Sequence, residues 1–141
     1  MITEEDIREF VEEIESSRRP PLTVPQMVEI FAETMRQEKN PEMSLKLVFE
    51  EFSEFWEEAD EEHRNYKPLN REKVLKEMAD LVYVLYGYAR SLDLPLDEAV
   101  RRVHKNNIDR CVWPDGGVKY RADGKVLKRD NPPKIDLGDL V

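Results

Sequence analysis

Cysteine and glycine are both scarce in this sequence of 141 residues. The one cysteine, Cys111, allows no internal disulfide, which suits a reducing compartment such as the cytoplasm. Only five residues are glycine, whereas 40% are hydrophobic and 38% are charged. This balance is typical of an amphipathic helical protein and not of a disordered one.

Long apolar runs are also missing, because no run reaches the roughly 20 residues of a membrane-spanning helix. The first residues, MITEEDIREFVEEIE, lack the basic start and apolar centre of a signal peptide. We therefore expect a cytoplasmic protein without a membrane partner. Its length predicts a single domain over 1–141, with a core of about 24–110 and a tail of about 111–141.

Acidic residues outnumber basic residues by 31 to 22. The resulting net charge of −9 argues against a nucleic acid polymer as partner. The distribution of charge is uneven: residues 101–130 hold nine Lys or Arg against four Asp, a charge of +5. Residues 131–141 carry −1, which leaves −13 on residues 1–100. An acidic body with a basic tail suits a ligand that carries both a metal and phosphates. A tail that only neutralises the body through salt bridges fits the charges equally well.

The spacing of apolar residues predicts an all-α bundle of five helices, over about 4–15, 24–38, 42–63, 70–91 and 96–108. The expected core positions of the second and third helices are Met27, Ile30, Phe31, Thr34, Met35, Leu45, Val48, Phe52, Phe55 and Ala59. After Trp113 the chain is rich in turn residues, and 118–121 with 125–128 fit a small hairpin.

The fourth helix carries the most informative residue, Asp80. Between Glu77 and Arg90 it is the only charge in an otherwise apolar run. A helix that is apolar on nearly all sides belongs in a core, where an ionised carboxylate is costly unless it is paired or coordinated. Glu77 precedes Asp80 by three residues and shares its helix face. Lys76 is the only nearby basic residue, so a divalent cation is the better partner for the two carboxylates.

The third helix repeats this spacing with Glu51 and Glu54, and Glu50 lies beside them. If the two helices form an antiparallel hairpin, one register places Glu51 opposite Asp80 and Glu54 opposite Glu77. Acids gathered in this way repel one another unless a hard cation lies between them. The five acids are therefore candidate ligands of Mg²⁺ or Mn²⁺, although an acidic string on the third helix alone would fit a solvated surface.

Basic and polar residues near the end of the fifth helix form a second candidate site. His104, Asn107 and Arg110 could donate hydrogen bonds to phosphate oxygens. Capping of the helix and stabilisation of its dipole would explain Arg110 well, and His104 and Asn107 less well. In the tail, we expect Lys125 and Lys128 to contact a phosphorylated ligand when the tail folds over the metal site of its own or a neighbouring subunit.

These motifs resemble a known family. The pattern Glu50-Glu51-x-x-Glu54, followed by Glu77-x-x-Asp80 in an apolar helix, is similar to that of the all-α nucleoside triphosphate pyrophosphohydrolases. This group includes MazG-like proteins, dimeric dUTPases and phosphoribosyl-ATP pyrophosphohydrolase. The blocks 103–107 and 121–128 resemble the C-terminal signature of the MazG-like branch. The resemblance covers about 24–135, although the family usually has Lys at the position of Arg110.

The resemblance implies Mg²⁺-dependent hydrolysis of a nucleoside triphosphate, such as dUTP or another non-standard nucleotide, to the monophosphate and pyrophosphate. It also implies that the five acids bind Mg²⁺, that the basic tail holds the phosphates, and that the protein is a homodimer or homotetramer. In this scheme Glu50 and Glu51 would be catalytic, with Glu50 holding a second metal or orienting the attacking water. The alternative is a non-catalytic helical binding module with a structural divalent cation.

Overall fold

The computed structural model describes residues 1–18 and 20–141. It contains α1 (Glu4–Arg18), α2 (Val24–Thr34), α3 (Pro41–Asn65), α4 (Arg71–Ser91), α5 (Leu96–Cys111) and a short 3-10 helix (Gly138–Leu140). The described residues include no β-strand, so the predicted all-α class is confirmed. None of the described helices combines the length and the apolar character that a membrane span requires.

Four of the helices begin at side-chain caps that the sequence contains, and at the start of α1 the hydroxyl oxygen of Thr3 accepts the backbone N–H of Asp6 at 3.1 Å. Thr23 and Gln26 form a capping box at the start of α2, in which each side chain accepts a hydrogen bond from the other residue's backbone N–H. Asn40 and Asn70 cap α3 and α4, because each side-chain oxygen accepts the backbone N–H three residues later, at 3.1 Å. These caps fix the two helices that carry the acidic residues.

Three helices end at residues in the left-handed backbone conformation, among them α3, whose C-cap Tyr66 has φ of 54°. α2 ends at Thr34, and not near 38 as predicted, because Arg36 has φ of 53° and turns the chain. The N–H of Gln37 then donates to the carbonyl of Ala32 at 2.8 Å, which closes the helix end. Asp93, with φ of 56°, ends α4 in the same way. The remaining predicted ends lie within three residues of those in the structure.

The centre of the fold is the α3–α4 hairpin, with α2 packed against α4. Glu51 lies beside Asp80, and further along the hairpin Ser44 and Gly87 border a common cleft, as the predicted antiparallel register requires. α2 contacts α4 through the rings of Phe31 and Tyr83, which meet edge to face with centroids 5.9 Å apart.

An ion pair fastens α2 to the end of α4. The guanidinium group of Arg90 donates two hydrogen bonds to the carboxylate of Glu29, at 2.6 and 3.3 Å. The guanidinium holds the pKa of Glu29 below its usual range. This pair fixes the relative position of the two helices on one side of the cleft between them.

The buried core of the described chain is small. It consists of Val28, Ala32, Ala89 and Ser91. The predicted burial of Met27, Ile30, Phe31, Thr34, Met35, Leu45 and Phe52 is wrong for a single chain, because all seven side chains are exposed. The physical reason is that α2 buries only the small residues Val28 and Ala32, and that neither α1 nor α5 packs extensively on α2 or α3 in the described chain.

The segment after α5 folds back on the helix. Tyr120 and Val126 form an antiparallel bridge, and Leu127 N–H donates to the carbonyl of Lys119 at 2.8 Å. The turn between them contains Gly124 with φ of 86°, a conformation that glycine adopts without strain. The predicted small hairpin is therefore present, although it is too short to form strands.

Candidate metal centre

The α3–α4 hairpin brings together three of the five predicted acids. Carboxylate oxygens of Glu51, Glu77 and Asp80 all lie within 4.8 Å of one another. Glu77 and Asp80 share one face of α4 because they are three residues apart, and Glu51 approaches them from α3. The spacing of the carboxylate oxygens fits ligands that converge on one cation.

The three acids occupy a partly dry environment. One oxygen of Glu51, Oε2, is buried without a hydrogen-bond partner, and so is Oε2 of Glu77. Burial raises the pKa of Glu51, and the nearby carboxylates of Glu54, Asp80 and Glu77 raise it further. Carboxylate oxygens that are buried together and unpaired are destabilising unless a cation or a proton compensates them.

Lys76 supplies part of this compensation. Its ammonium nitrogen lies 2.6 Å from Oδ2 of Asp80 and 3.6 Å from Oε1 of Glu77. A hydrogen bond to Asp80 raises the pKa of Lys76, which keeps the ammonium charged. However, one ammonium faces three carboxylates, and its side chain is 65% exposed, so solvent screens it. The negative charge of the cluster therefore exceeds the positive charge that Lys76 supplies.

The other two predicted ligands lie at the margin of this cluster. Glu54 is exposed and is not among the three acids whose oxygens converge, although its charge raises the pKa of Glu51. Glu50 is exposed and borders a different groove of α3 and α4, together with Phe49, Phe52 and Leu85. The inner cluster of this structure therefore consists of Glu51, Glu77 and Asp80.

A cleft of about 760 Å³ between α2, α3 and α4 opens beside the cluster. Glu51 and Asp80 border one end of it, and Gln37, Asn40, Ser44 and Gly87 line the remainder. These four residues were not identified from the sequence. A glycine within a helix was the one available signal, since glycine lowers helix stability and is used where space is needed.

The predicted phosphate-binding residues lie in the C-terminal part of the chain. His104 and Asn107 are exposed on α5, Arg110 is in its last turn, and Lys125 and Lys128 are exposed beyond it. Among the described residues, no ion pair joins any of them to the five acids. In the described chain, neither an ion pair nor a hydrogen bond therefore connects the two predicted sites.

Unpaired hydrogen-bond donors cluster around Arg110. Nε of Arg110, Nε of Arg129 and the indole nitrogen of Trp113 are buried and have no acceptor in the described part of the chain. The backbones of the two arginines are joined, because Arg129 N–H donates to the carbonyl of Arg110 at 2.7 Å. Lys119 lies over the ring of Trp113, 3.8 Å from its centroid. Trp113 and Arg129 were not identified from the sequence.

An all-α protein with converging carboxylates beside a nucleotide-sized cleft has the architecture of a metal-dependent phosphoanhydride hydrolase. Comparison with protein families makes the assignment specific. The model of the family described as phosphoribosyl-ATP pyrophosphohydrolase matches residues 25–107, which is more than half of the chain. The chain belongs to this family, and the predicted resemblance is confirmed.

Membership of the family establishes the class of reaction. The protein is a pyrophosphohydrolase, a hydrolase that acts on phosphoric anhydrides, and its family acts on a nucleotide-like substrate. Members of the family depend on divalent cations in general, which agrees with the acidic cluster. No curated protein sequence matches the chain.

Proposed function

We propose that the protein hydrolyses a nucleoside triphosphate to the monophosphate and pyrophosphate in a reaction that requires Mg²⁺. The observation that carries this proposal is the convergence of Glu51, Glu77 and Asp80 within 4.8 Å, with two buried oxygens that lack a partner. Oxygen ligands with a surplus of negative charge suit a hard divalent cation, and Mn²⁺ would also fit. Cys111 as the single cysteine suits the cytoplasm, where we expect the enzyme to act.

In this proposal the three converging acids are the inner metal ligands. Glu54 completes the coordination from the margin, and Glu50 holds a second ion or orients the attacking water. When bound, the cation would neutralise phosphate charge and lower the pKa of a coordinated water. A bound cation would compete with Lys76 for Asp80, and the exposed side chain of Lys76 is free to move away.

The reaction cleaves one phosphoanhydride bond. Water attacks the α-phosphorus, the bond from this phosphorus to the α,β-bridging oxygen breaks, and pyrophosphate leaves as one piece. Glu51 and Glu50 are the candidate acceptors of the water proton. The rate enhancement comes mainly from positioning and charge neutralisation, without a covalent enzyme intermediate.

The basic residues His104, Asn107, Arg110, Lys125 and Lys128 are assigned to the phosphates of the substrate. Arg110, Lys125 and Lys128 form no ion pair with an acid of the described chain, so their charges remain available to a ligand. The unpaired donors of Arg129 and Trp113 beside Arg110 support the same assignment. Because no ion pair joins these residues to the five acids in the described chain, we assign them to the metal centre of a neighbouring subunit.

The exposed surface supports the proposal that the protein is a homo-oligomer. The single chain has 11821 Å² of accessible surface. Scaling from its 16.7 kDa mass predicts only about 7,600 Å² for a folded monomer. The excess of roughly 4,000 Å² exceeds what one chain contributes even to a large obligate interface. A dimer or tetramer that covers the exposed faces of α2, α3 and α4 accounts for it.

The most detailed part of the proposal is the identity of the base in the substrate. The resemblance to dimeric dUTPases favours dUTP or another non-standard nucleotide, whereas the family name refers to phosphoribosyl-ATP. Both would place a triphosphate at the acids, so the metal centre does not distinguish them. The competing function is a helical binding module in which the acids hold a structural cation.

A substrate screen tests the proposal. Purified protein is incubated with each common nucleoside triphosphate, dUTP and phosphoribosyl-ATP, with Mg²⁺, Mn²⁺ or EDTA, and released pyrophosphate is measured. We expect cation-dependent release from at least one nucleotide, and loss of at least 100-fold in kcat for Asp80→Asn. The proposal is wrong if pyrophosphate release stays at the blank for every nucleotide, a result that favours the binding module.

A further inference from the structure

We propose that the cleft between α2, α3 and α4 binds the nucleoside end of the substrate, and that Gly87 determines which bases the cleft accepts. This inference rests on the proposed function, because it assigns the opposite end of the same substrate. Gly87 lies within α4, where a residue with a side chain would favour the helix.

The space beside Gly87 explains why a side chain is absent there. A Cβ atom built on Gly87 would have no heavy atom within 4 Å, apart from its chain neighbours and the local helix backbone. The position borders the cleft of about 760 Å³. Close packing of another helix is therefore not the reason for the glycine. It leaves open a volume that belongs to the cleft.

The cleft has two chemically different ends. Glu51 and Asp80 lie at one end, where a cation and phosphates would bind. At the other end Arg90 is paired with Glu29, and Lys39 with Asp93, so neither positive charge is free for an anion. The phosphates therefore belong at the acidic end, and the uncharged part of the substrate at the other.

The dimensions and lining of the cleft fit a nucleoside. Gly87 follows Asp80 by seven residues, which is about 10 Å along a helix. Phe31 and Tyr83 supply apolar walls, while Gln37 and Ser44 add hydrogen-bonding groups of the kind that read the edge of a base. The volume lies within the range of about 300–1,000 Å³ that is typical of small-molecule sites.

Substitutions of increasing size at Gly87 test the inference. Gly87→Ala and Gly87→Leu should both fold with a Tm equal to or above that of the wild type, because alanine and leucine favour a helix. Gly87→Leu should raise KM for the preferred nucleotide at least tenfold and disfavour purines more than pyrimidines. Inhibition by inorganic pyrophosphate should not change, because pyrophosphate binds at the acidic end. Gly87→Ala should show the same trend more weakly.

Ala79→Leu is the matched control, since it adds a similar volume to α4 at an exposed position that does not border the cleft. A folded Gly87→Leu protein with unchanged KM and unchanged base preference would overturn the inference and leave the proposed function intact. If the wild type hydrolyses no nucleotide, binding of dUMP and AMP measured by calorimetry replaces KM. Equal binding of both by wild type and Gly87→Leu would then exclude the cleft as the nucleoside site.

Discussion

At the scale of single residues, Glu51 is the acid whose environment is most unusual. Its pKa is raised by burial first and by the neighbouring carboxylates second, so the ionised side chain opposes folding when no cation is present. Because the pKa of Glu51 is higher in the folded protein, the free-energy cost of its ionised carboxylate is absent when the pH is below the pKa of an unfolded glutamate. The cost appears as the pH rises and is complete above the pKa in the folded protein.

Glu51→Gln therefore has an effect on stability that depends on pH. In EDTA at pH 8 we expect the variant to melt a few degrees above the wild type, because it lacks the ionised carboxylate. At pH 4 the two proteins should melt together. Addition of Mg²⁺ at pH 8 should stabilise the wild type and not the variant, as measured by thermal unfolding. A variant less stable than the wild type at pH 8 in EDTA would contradict this role.

The limits of residue-scale prediction are clear at Lys76 and Glu54. Their positions follow from helix periodicity, but whether Lys76 bends towards Asp80 depends on the free energies of rotamers that the sequence does not reveal. Periodicity placed Glu54 near the cluster, and in the structure its exposed side chain stays outside the group of three. The antiparallel register could be predicted because Glu51 with Asp80 and Glu54 with Glu77 have the same sum of residue numbers, so that one register places both pairs opposite each other.

At the scale of helices and loops, the existence of each helix was easier to predict than the residue at which it ends. Asn70 and the Thr23–Gln26 box are visible in the sequence and do begin helices. The end of α2 near Arg36 was harder to predict, because a left-handed conformation without glycine has no strong sequence signal, whereas the end of α4 at Ser91 was predicted correctly. The expected burial of α2 failed for another reason: burial depends on which surfaces meet, and some of these surfaces belong to another chain in the proposed oligomer.

The hairpin after α5 is the element whose role is most open to a direct test. Changing Lys125 and Lys128 to alanine should reduce kcat/KM more than tenfold, because two charged phosphate contacts are lost. The Tm should hardly change, since both side chains are exposed and form no ion pair in the described chain.

Lys134→Ala is a suitable control, because it removes an exposed positive charge from the tail outside the hairpin. If the hairpin acts only as a neutralising strap, the double variant should lose stability while the folded fraction keeps normal kinetics. Measurement of Tm and kcat/KM on the same preparations separates the two roles.

At the scale of the whole molecule, the exposed apolar groove between α3 and α4 is the feature to explain. Phe49 is 71% exposed beside Phe52, Leu81 and Leu85. In the proposed oligomer a second copy of the chain covers this groove. Burying such side chains stabilises an interface by about 25 cal/mol per Å² of apolar surface.

Phe49→Glu should therefore lower the oligomeric state, as measured by sedimentation equilibrium, and reduce activity together with it. Ile2→Glu, which places the same charge at another exposed apolar residue, should leave both unchanged. A Phe49→Glu protein that sediments like the wild type would show that the groove is not an interface between copies.

The attachment of the C-terminal segment, residues 112–141, to α5 has a consequence for ligand binding. The segment is attached to α5 twice, by the bond from Arg129 N–H to the carbonyl of Arg110 and by the Arg102 guanidinium, which donates to Asp139 at 2.5 and 2.8 Å. The segment is thus a closed loop with two anchored ends, and much of its conformational entropy is lost during folding. An anion that binds to it does not have to order the chain, so more of the contact energy appears as affinity.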